Sequence, residues 1–462
     1  MNYKSLAFVA LIALASCSNF GPKEVELSGQ INNLDNNYAL LISKGVTDTL
    51  WLNDDGSFIT KFMLEEPTYF TLRAGRIRNT IYLAPGDNLN VLVDITNPTN
   101  NPVVEGKCAL ANNLIWENNQ TISELSRGFR DLYQLPLDEF EQELDSIKSM
   151  LHGKISGFGV TDKDFVSLEK ARIDYHFKSL RYDYPDYFSR ISGEEFVAPE
   201  SFFAFMSDMN FANPKHFSIN EYTGLVYKHI QKTYRDELAK DEHKGKSEFE
   251  RNLMLFGMID SLVPNQTIKD YYKYTSTSET VKWASLEVAK NVAEYFLANT
   301  QTTVYTDIIR KALDKRMLLA PGQPAPEFTL TGIDGNTYSL SDFKGKLVYI
   351  DFWATWCGPC KRQLPFLKTM KEAYKGKPIA IIAISLDDDK NAWVKMVTED
   401  KLDGIQLHAD RAWLSDVAQQ YQVFAIPTFV LIDGEGKIIE YPAPRPSDPE
   451  TGLLVDKHLK LL

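Results

Sequence analysis

The sequence predicts a multidomain protein with three architectures in series: an all-β sandwich or barrel, a central α-helical region and a C-terminal α/β domain. Three observations predict it. Short apolar runs broken by turn residues occupy 24–106, and apolar residues at helical spacing occupy 107–319. After a proline-rich break, continuous apolar strands alternate with helical stretches over 320–462. A chain of 462 residues is also too long for a single core.

The first sixteen residues fall outside this scheme. Lys4 gives a positive start, 6–14 is an apolar run, and Leu14-Ala15-Ser16-Cys17 closes it. The run is too short to cross a bilayer as a helix of the mature chain. The pattern resembles a bacterial lipoprotein signal. That implies cleavage before Cys17, acylation of Cys17, a tether over 17–23 and a membrane anchor. The other reading is an ordinary secretory signal with an incidental cysteine. The formal net charge of −12 argues against nucleic acid as a partner, because phosphate binding needs a basic surface.

In the β region, Val25, Leu27, Ile31, Leu40, Leu41, Ile42, Leu50 and Leu52 sit in short runs. Asn32-Asn33, Asp35-Asn36-Asn37, Asp54-Asp55-Gly56 and Pro85-Gly86-Asp87 separate them. Asp55-Gly56 between 50–52 and 58–59 predicts a hairpin. Closely spaced strands with no helical period predict a small antiparallel sandwich or barrel. The Asn- and Pro-rich 96–102 reads as a loop.

In the helical region, Leu137, Phe140, Leu144, Ile147 and Leu151 share one helix face, and Trp283, Leu286, Val288, Val292, Tyr295 and Phe296 fall at near-helical spacing. Thr161-Asp162-Lys163-Asp164 reads as a helix start. Tyr175, Phe177, Tyr182, Tyr184, Tyr187 and Phe188 read as packing core. His152, His176, His216, His229 and His243 lack metal-ligand spacing, so no metal site is expected.

Proline fixes the backbone and removes amide donors, so Pro321-Gly322-Gln323-Pro324-Ala325-Pro326 ends the helical region. Beyond it, 347–352 and 379–386 are nearly continuous apolar strands, as a sheet covered on both faces demands. Helices are expected over 361–374, 391–402 and 414–423 and from about 450. The segments 428–432 and 437–441 are expected to pair across Asp433-Gly434-Glu435-Gly436.

The chain has 4 cysteines. With Cys17 assigned to lipid, three thiols make no disulfide framework. Cys108 stands alone and reads as a small buried hydrophobe. Cys357 and Cys360 form a C-x-x-C pair. A zinc site would need two more ligands, and only His408 and His458 follow, without paired spacing. The pair instead closes a strand and opens a helix with Gly358-Pro359 between, which is the context of a redox dithiol. At a helix start Cys357 faces unpaired amides that favour its thiolate, while Cys360 lies one turn inside. Pro359 suits the first turn, where its missing donor costs nothing.

Such a pair reduces a disulfide in two steps: Cys357 attacks, then Cys360 resolves the mixed disulfide. The high effective concentration of Cys360 matters more than a lowered pKa, because lower basicity gives back most of the thiolate gain. Cys360 must lose a proton. Asp351, six residues before Cys357 on an apolar strand, is out of place in a core. A buried carboxylate has a raised pKa and suits a proton acceptor; the other reading is a hydrogen-bonded structural acid.

The stretch from Tyr349 through Trp353-Ala354-Thr355-Trp356-Cys357-Gly358-Pro359-Cys360 closely resembles thioredoxin. Ile426-Pro427-Thr428 is similar to that family's cis-proline loop, and a cis bond is nearly confined to X-Pro. The resemblance implies that this loop faces the cysteines, with Trp356, Gly358, Pro359, Ile426 and Pro427 as substrate contacts. The long interval between pair and proline resembles the TlpA/ResA-like thiol-disulfide reductases, as does Gly322-Gln323-Pro324-Ala325-Pro326-Glu327-Phe328-Thr329-Leu330. The implied protein is lipid-anchored, faces the periplasm and reduces disulfides of exported proteins. It needs no cofactor beyond its dithiol and is re-reduced by a membrane electron donor. Cytochrome c maturation is one client system the family implies.

Some relatives carry the functional carboxylate after the next strand, where this chain has Asp387, Asp388 and Asp389, so the proton acceptor stays open. The β region is similar, more weakly, to an uncharacterised β domain found ahead of such modules. A peroxiredoxin would carry Thr three residues before its cysteine; here Ala354 stands there. Two other readings remain: a binding or assembly lipoprotein with an auxiliary thioredoxin domain, and a disulfide oxidase or isomerase. The Gly-Pro dipeptide favours reduction by family analogy.

Overall fold

The computed structural model describes residues 21–34, 37–75, 77–96, 102–126 and 129–462. The expected signal segment 1–16, the lipidation residue Cys17 and most of the tether lie outside the described residues, as do Asp35, Asn36 and most of the 96–102 loop. The chain divides into two compact units: residues up to 276 with 298–307, and residues 277–297 with 308–462.

The first unit opens with β1 (Lys23–Asn32), β2 (Tyr38–Ser43), β3 (Val46–Trp51), β4 (Ser57–Leu64), β5 (Thr68–Ala74), β6 (Ile77–Leu83), β7 (Asn88–Asp94) and β8 (Val103–Gly106). They form two sheets, ordered β4-β1-β7-β8 and β3-β2-β5-β6. Along β4, Phe58, Thr60, Phe62 and Leu64 point inward and alternate with exposed residues, the signature of a sheet covered on one face. The pairings are antiparallel apart from β1 with β7, which run parallel.

The expected hairpin at Asp55-Gly56 does not form. The turn is there, with Gly56 at φ 78, but β3 pairs with β2 and β4 pairs with β1, so it carries the chain from one sheet to the other. Gly56 docks on β1: its carbonyl accepts from the Ile31 amide at 3.0 Å, and a Cβ there would lie 2.4 Å from the Ile31 oxygen. The glycine serves a close approach to a third strand, which local sequence does not distinguish from a two-residue hairpin.

The helices are α1 (Ala109–Ser126), α2 (Phe129–Leu132), α3 (Leu137–Gly157), α4 (Lys163–Ser192), α5 (Asn220–Leu238), α6 (Glu248–Leu262), α7 (Gln266–Trp283), α8 (Leu286–Asn299) and α9 (Thr303–Met317). Phe140, Leu144 and Leu151 of α3 are buried as expected. Asp162 caps α4, accepting from the Asp164 and Phe165 amides, a contribution of about 1 kcal/mol. Glu169 and Arg172 of α4 are buried together. The guanidinium binds both carboxylate oxygens at 2.8 Å, while Asn118 and Tyr69 donate to the same carboxylate. The apolar series from Trp283 to Phe296 spans a helix break. Trp283 ends α7, and α8 starts after Ser285, whose hydroxyl accepts from the Val288 amide.

The second unit carries β9 (Thr329–Gly332), β10 (Thr337–Ser339), β11 (Leu347–Trp353), α10 (Gly358–Lys361), α11 (Leu364–Ala373), β12 (Ile379–Ser385), α12 (Lys390–Glu399), β13 (Ile405–His408), α13 (Asp416–Gln420), β14 (Thr428–Ile432), β15 (Ile438–Glu440) and α14 (Pro449–Leu459). The sheet order is β10-β9-β13-β12-β11-β14-β15. Every residue of β11 is buried, between parallel β12 and antiparallel β14. Val348, Ile350 and Phe352 face one core with Tyr421 and Val430. Leu347 and Tyr349 face the other, with Leu367, Met370 and Val455.

The helix expected over 361–374 starts later, as α11 at Leu364, and Lys361 instead ends the separate turn α10. Pro365, in the first turn of α11, has no amide to continue the ladder, so the turn opened by Cys357 stops at Lys361 and the chain restarts.

Candidate active site

β11 ends at Trp353, and the next residues turn outward into α10. Cys357 is the N-cap of that helix, and its sulfur accepts from the Cys360 amide at 3.1 Å. The two cysteines are joined in a disulfide with their Cα atoms 5.3 Å apart. α10 is a single turn, so the thiolate of a reduced Cys357 would be held by this local amide rather than by a long helix dipole. Cys360 is 2 % exposed and Cys357 only 4 %. The expected difference in shielding between the two is therefore small in the oxidised state. What covers Cys357 is the loop before β14. The Ile426–Pro427 bond is cis, and the Ile426 carbonyl lies 3.7 Å from the Cys357 sulfur. Trp356 is 57 % exposed, with its ring centroid 6.4 Å from that of Trp413.

Beneath the pair, strand alternation puts Asp351 on the same side of β11 as Trp353, which clusters with Cys357, Cys360 and Trp393. Asp351 is buried, and its Oδ1 has no hydrogen-bond partner. Burial pushes its carboxyl up to about 7, with Lys371 pulling the other way. Desolvation in turn lowers the Lys371 ammonium, which donates to the Asp403 carbonyl.

The acidic run after β12 splits three ways. Asp388 is exposed. Asp389 caps α12. Asp387 is 1 % exposed and its carboxylate is saturated: it accepts from the Thr355 amide, from the Thr355 hydroxyl at 2.6 Å and from the Ser385 hydroxyl at 2.7 Å. His408 on β13 donates its Nε2–H to the Asp387 carbonyl, 2.9 Å away. Asp387 thus ties Thr355, two residues before Cys357, to the end of β12. Sequence reasoning missed this tie and the part played by Trp393. A single Thr and a single Trp carry no spacing signal, and only the fold brings them to the cysteines.

Cys108 is buried and free, and burial pushes its thiol up to about 12, which makes it inert as a nucleophile. Glu237, Glu242 and His243 hold potential ligand atoms within 4.8 Å of one another. The Glu237 carboxylate, however, already accepts from Lys240 and lies 3.2 Å from His243.

The α/β domain is also similar in sequence to known proteins. A family model described as Redoxin matches residues 320–452. The thiol-disulfide oxidoreductase ResA of Geobacillus kaustophilus is 32% identical over 142 residues, covering 31% of this chain and 78% of that protein. The chain belongs to the ResA-like thiol-disulfide oxidoreductases. The ResA of Bacillus thuringiensis subsp. konkukian is 35% identical over 119 residues, covering 26% of this chain and 67% of that protein. The solved thioredoxin domain of a thiol-disulfide oxidoreductase from Bacteroides vulgatus shares 34% identity over 30% of this chain and 99% of its own, with a TM-score of 0.29. Like the family, the protein is an enzyme of thiol-disulfide exchange. Its α/β domain is thioredoxin-like, and a β region and a helical region precede it.

Proposed function

We propose that the protein is a lipid-anchored, periplasm-facing reductase that opens disulfides of exported proteins with the Cys357–Cys360 dithiol. The observation that carries the reading is the joint placement of three groups: a disulfide just past the end of β11, the Ile426 carbonyl of the cis-proline loop 3.7 Å from the Cys357 sulfur, and a raised, underbonded carboxyl on β11.

The steps balance. In the reduced enzyme the Cys357 thiolate attacks one sulfur of a client disulfide. One client thiolate leaves and a mixed disulfide remains. Cys360 then attacks the Cys357 sulfur and expels the second client thiolate, so the client gains two electrons and the enzyme loses two. The Cys360 proton passes to Asp351, whose carboxyl near 7 can hold or release it close to neutrality. Asp387 is poorly suited to that task because its oxygens are already occupied by Thr355 and Ser385. The backbone of the Ile426–Pro427 loop, with Trp356 and the Gly358-Pro359 turn, receives the client segment. A membrane electron donor returns the enzyme to the dithiol. Acylation at Cys17 would hold it to the cell envelope.

The reduction potential of the Cys357–Cys360 pair tests this reading, with the purified mature chain equilibrated in dithiothreitol and glutathione buffers and trapped thiols counted by mass. A value near about −270 mV is expected for a reductant, whereas a value of roughly −120 to −180 mV would make the enzyme an oxidase or isomerase.

A further inference from the structure

We infer that the segment just ahead of the α/β domain completes the client-binding surface, contributing Trp283 to an aromatic rim beside the redox disulfide. Three large aromatic side chains of the second unit stay about half exposed there: Trp356 at 57 %, Phe424 at 56 % and Trp283 at 48 %. Trp356 precedes Cys357. Phe424 lies two residues before Ile426, the residue that covers the sulfur. Trp283 packs edge-on against Phe424 with ring centroids 6.5 Å apart.

The position of Trp283 is built rather than incidental. Its indole Nε1 donates to Glu279 at 2.9 Å, which fixes the rotamer. Its neighbour Ala284 is pinned by Arg316, a guanidinium only 3 % exposed. Arg316 Nη2 donates to the Ala284 carbonyl at 3.3 Å and to the Tyr441 carbonyl at 3.0 Å, and the guanidinium stacks over the Tyr441 ring at 4.7 Å. Tyr441 in turn donates its hydroxyl to the Gln422 carbonyl at 2.9 Å, and Gln422 reaches back to the Lys315 carbonyl at 2.6 Å. A buried guanidinium bridging two carbonyls is costly to desolvate and is held only where both acceptors are fixed. This clamp locks the 283–284 corner against the loop that carries Phe424 and Ile426.

The rim suits one occupant: an extended polypeptide segment of the client, with bulky apolar side chains flanking its disulfide cysteine. It continues the surface that any disulfide must cross to reach Cys357. From that sulfur through Ile426 and Phe424 to the Trp283 ring is at most about 25 Å, within reach of roughly seven to eight residues of extended chain. Half-exposed aromatics next to a binding centre are what protein recognition uses as anchors.

The inference rests on the reductase reading, and the test separates the two. The reduced mature chain, wild type and Trp283→Ala, is mixed with three disulfides: hydroxyethyl disulfide, a peptide disulfide flanked by Leu and Phe, and the same peptide flanked by Ser. The wild type is expected to prefer the apolar peptide. Trp283→Ala should raise the half-saturating concentration of that peptide about fivefold to tenfold, with the limiting rate and both other substrates unchanged, and Trp283→Phe should restore most of the loss. Equal half-saturation for wild type and Trp283→Ala on the apolar peptide overturns the inference. So does a wild-type dimer that dissociates on Trp283→Ala in sedimentation, because the rim then belongs to a second copy. A wild type inert toward hydroxyethyl disulfide overturns the reductase reading and the rim with it.

Discussion

Two buried carboxylates, one in each unit, are held in opposite ways. In the first unit, Glu169 is 0 % exposed and both its oxygens are taken, by Arg172, Asn118 and Tyr69, with Arg172 also bound to Glu221 at 2.8 Å. Asp270 in the same unit is likewise buried and accepts from Gln266, Gln301 and Thr302. In the second unit, Asp351 is buried with one oxygen unpartnered. A saturated carboxylate holds elements in place. An underbonded one favours its proton and can trade it. At Asp351 this unfavourable arrangement lies on β11, the strand that leads into the disulfide turn.

The comparison breaks first at Glu169. Glu169→Ala leaves Arg172, Asn118 and Tyr69 without their shared acceptor, and should cost about 5 kcal/mol. Urea unfolding of the mature chain measures it. Reduction of hydroxyethyl disulfide by the folded variant should stay at the wild-type rate. A variant of unchanged stability would mean that the network is not the strut it resembles.

Asp351 gives the next effect, with the opposite sign. A carboxyl moved from 3.8 to about 7 binds its proton more tightly folded than unfolded. Below about pH 4 both states are protonated and folding bears no penalty. As pH rises from about 4 to about 7 the folded state is progressively destabilised, by up to about 4 kcal/mol above pH 7. Asp351→Asn should therefore stabilise the oxidised protein by nearly that amount at pH 8 and hardly at all at pH 4, as thermal unfolding at the two pH values would register. The same variant should slow resolution by Cys360. Identical pH profiles in variant and wild type would leave Asp351 a plain structural acid.

What the sequence disclosed follows the same division. Signals confined to a few neighbouring residues were legible: the C-x-x-C pair, Asp351 standing out on an apolar strand, Pro427, the Asp162 cap. β13, Ile-Gln-Leu-His over Ile405–His408, was missed because four residues of mixed polarity make a strand only when β12 and β9 offer partners on both sides. The break between α10 and α11 was missed, although Pro365 in the first turn of α11 has no amide to bridge it. The Asp55-Gly56 turn was read by its local chemistry, while tertiary pairing sent its two strands to different sheets. In the site, sequence left open whether Asp351, on a strand, or the acids after the next strand accept the proton. The two differ in hydrogen bonding, Asp387 fully bonded and Asp351 with an unpartnered oxygen, and that is a property of the fold.

Asp387 therefore offers the smallest and sharpest of these tests. Its carboxylate holds Thr355 and so the turn that presents Cys357. Removing it in Asp387→Ala strands the Thr355 and Ser385 donors and should cost roughly 1–3 kcal/mol. Asp387→Asn keeps an acceptor and should cost less. As a positioning residue, Asp387 should slow attack by Cys357 in both variants, less in Asn than in Ala. The pH at which the second step of exchange gains its rate should not move, because the proton held at Asp351 is untouched. Stopped-flow exchange with hydroxyethyl disulfide between pH 5 and 9 resolves the two cases. A profile that shifts with Asp387→Asn and stays fixed with Asp351→Asn would exchange the two roles, and with them the rule that the underbonded carboxyl is the one that moves protons.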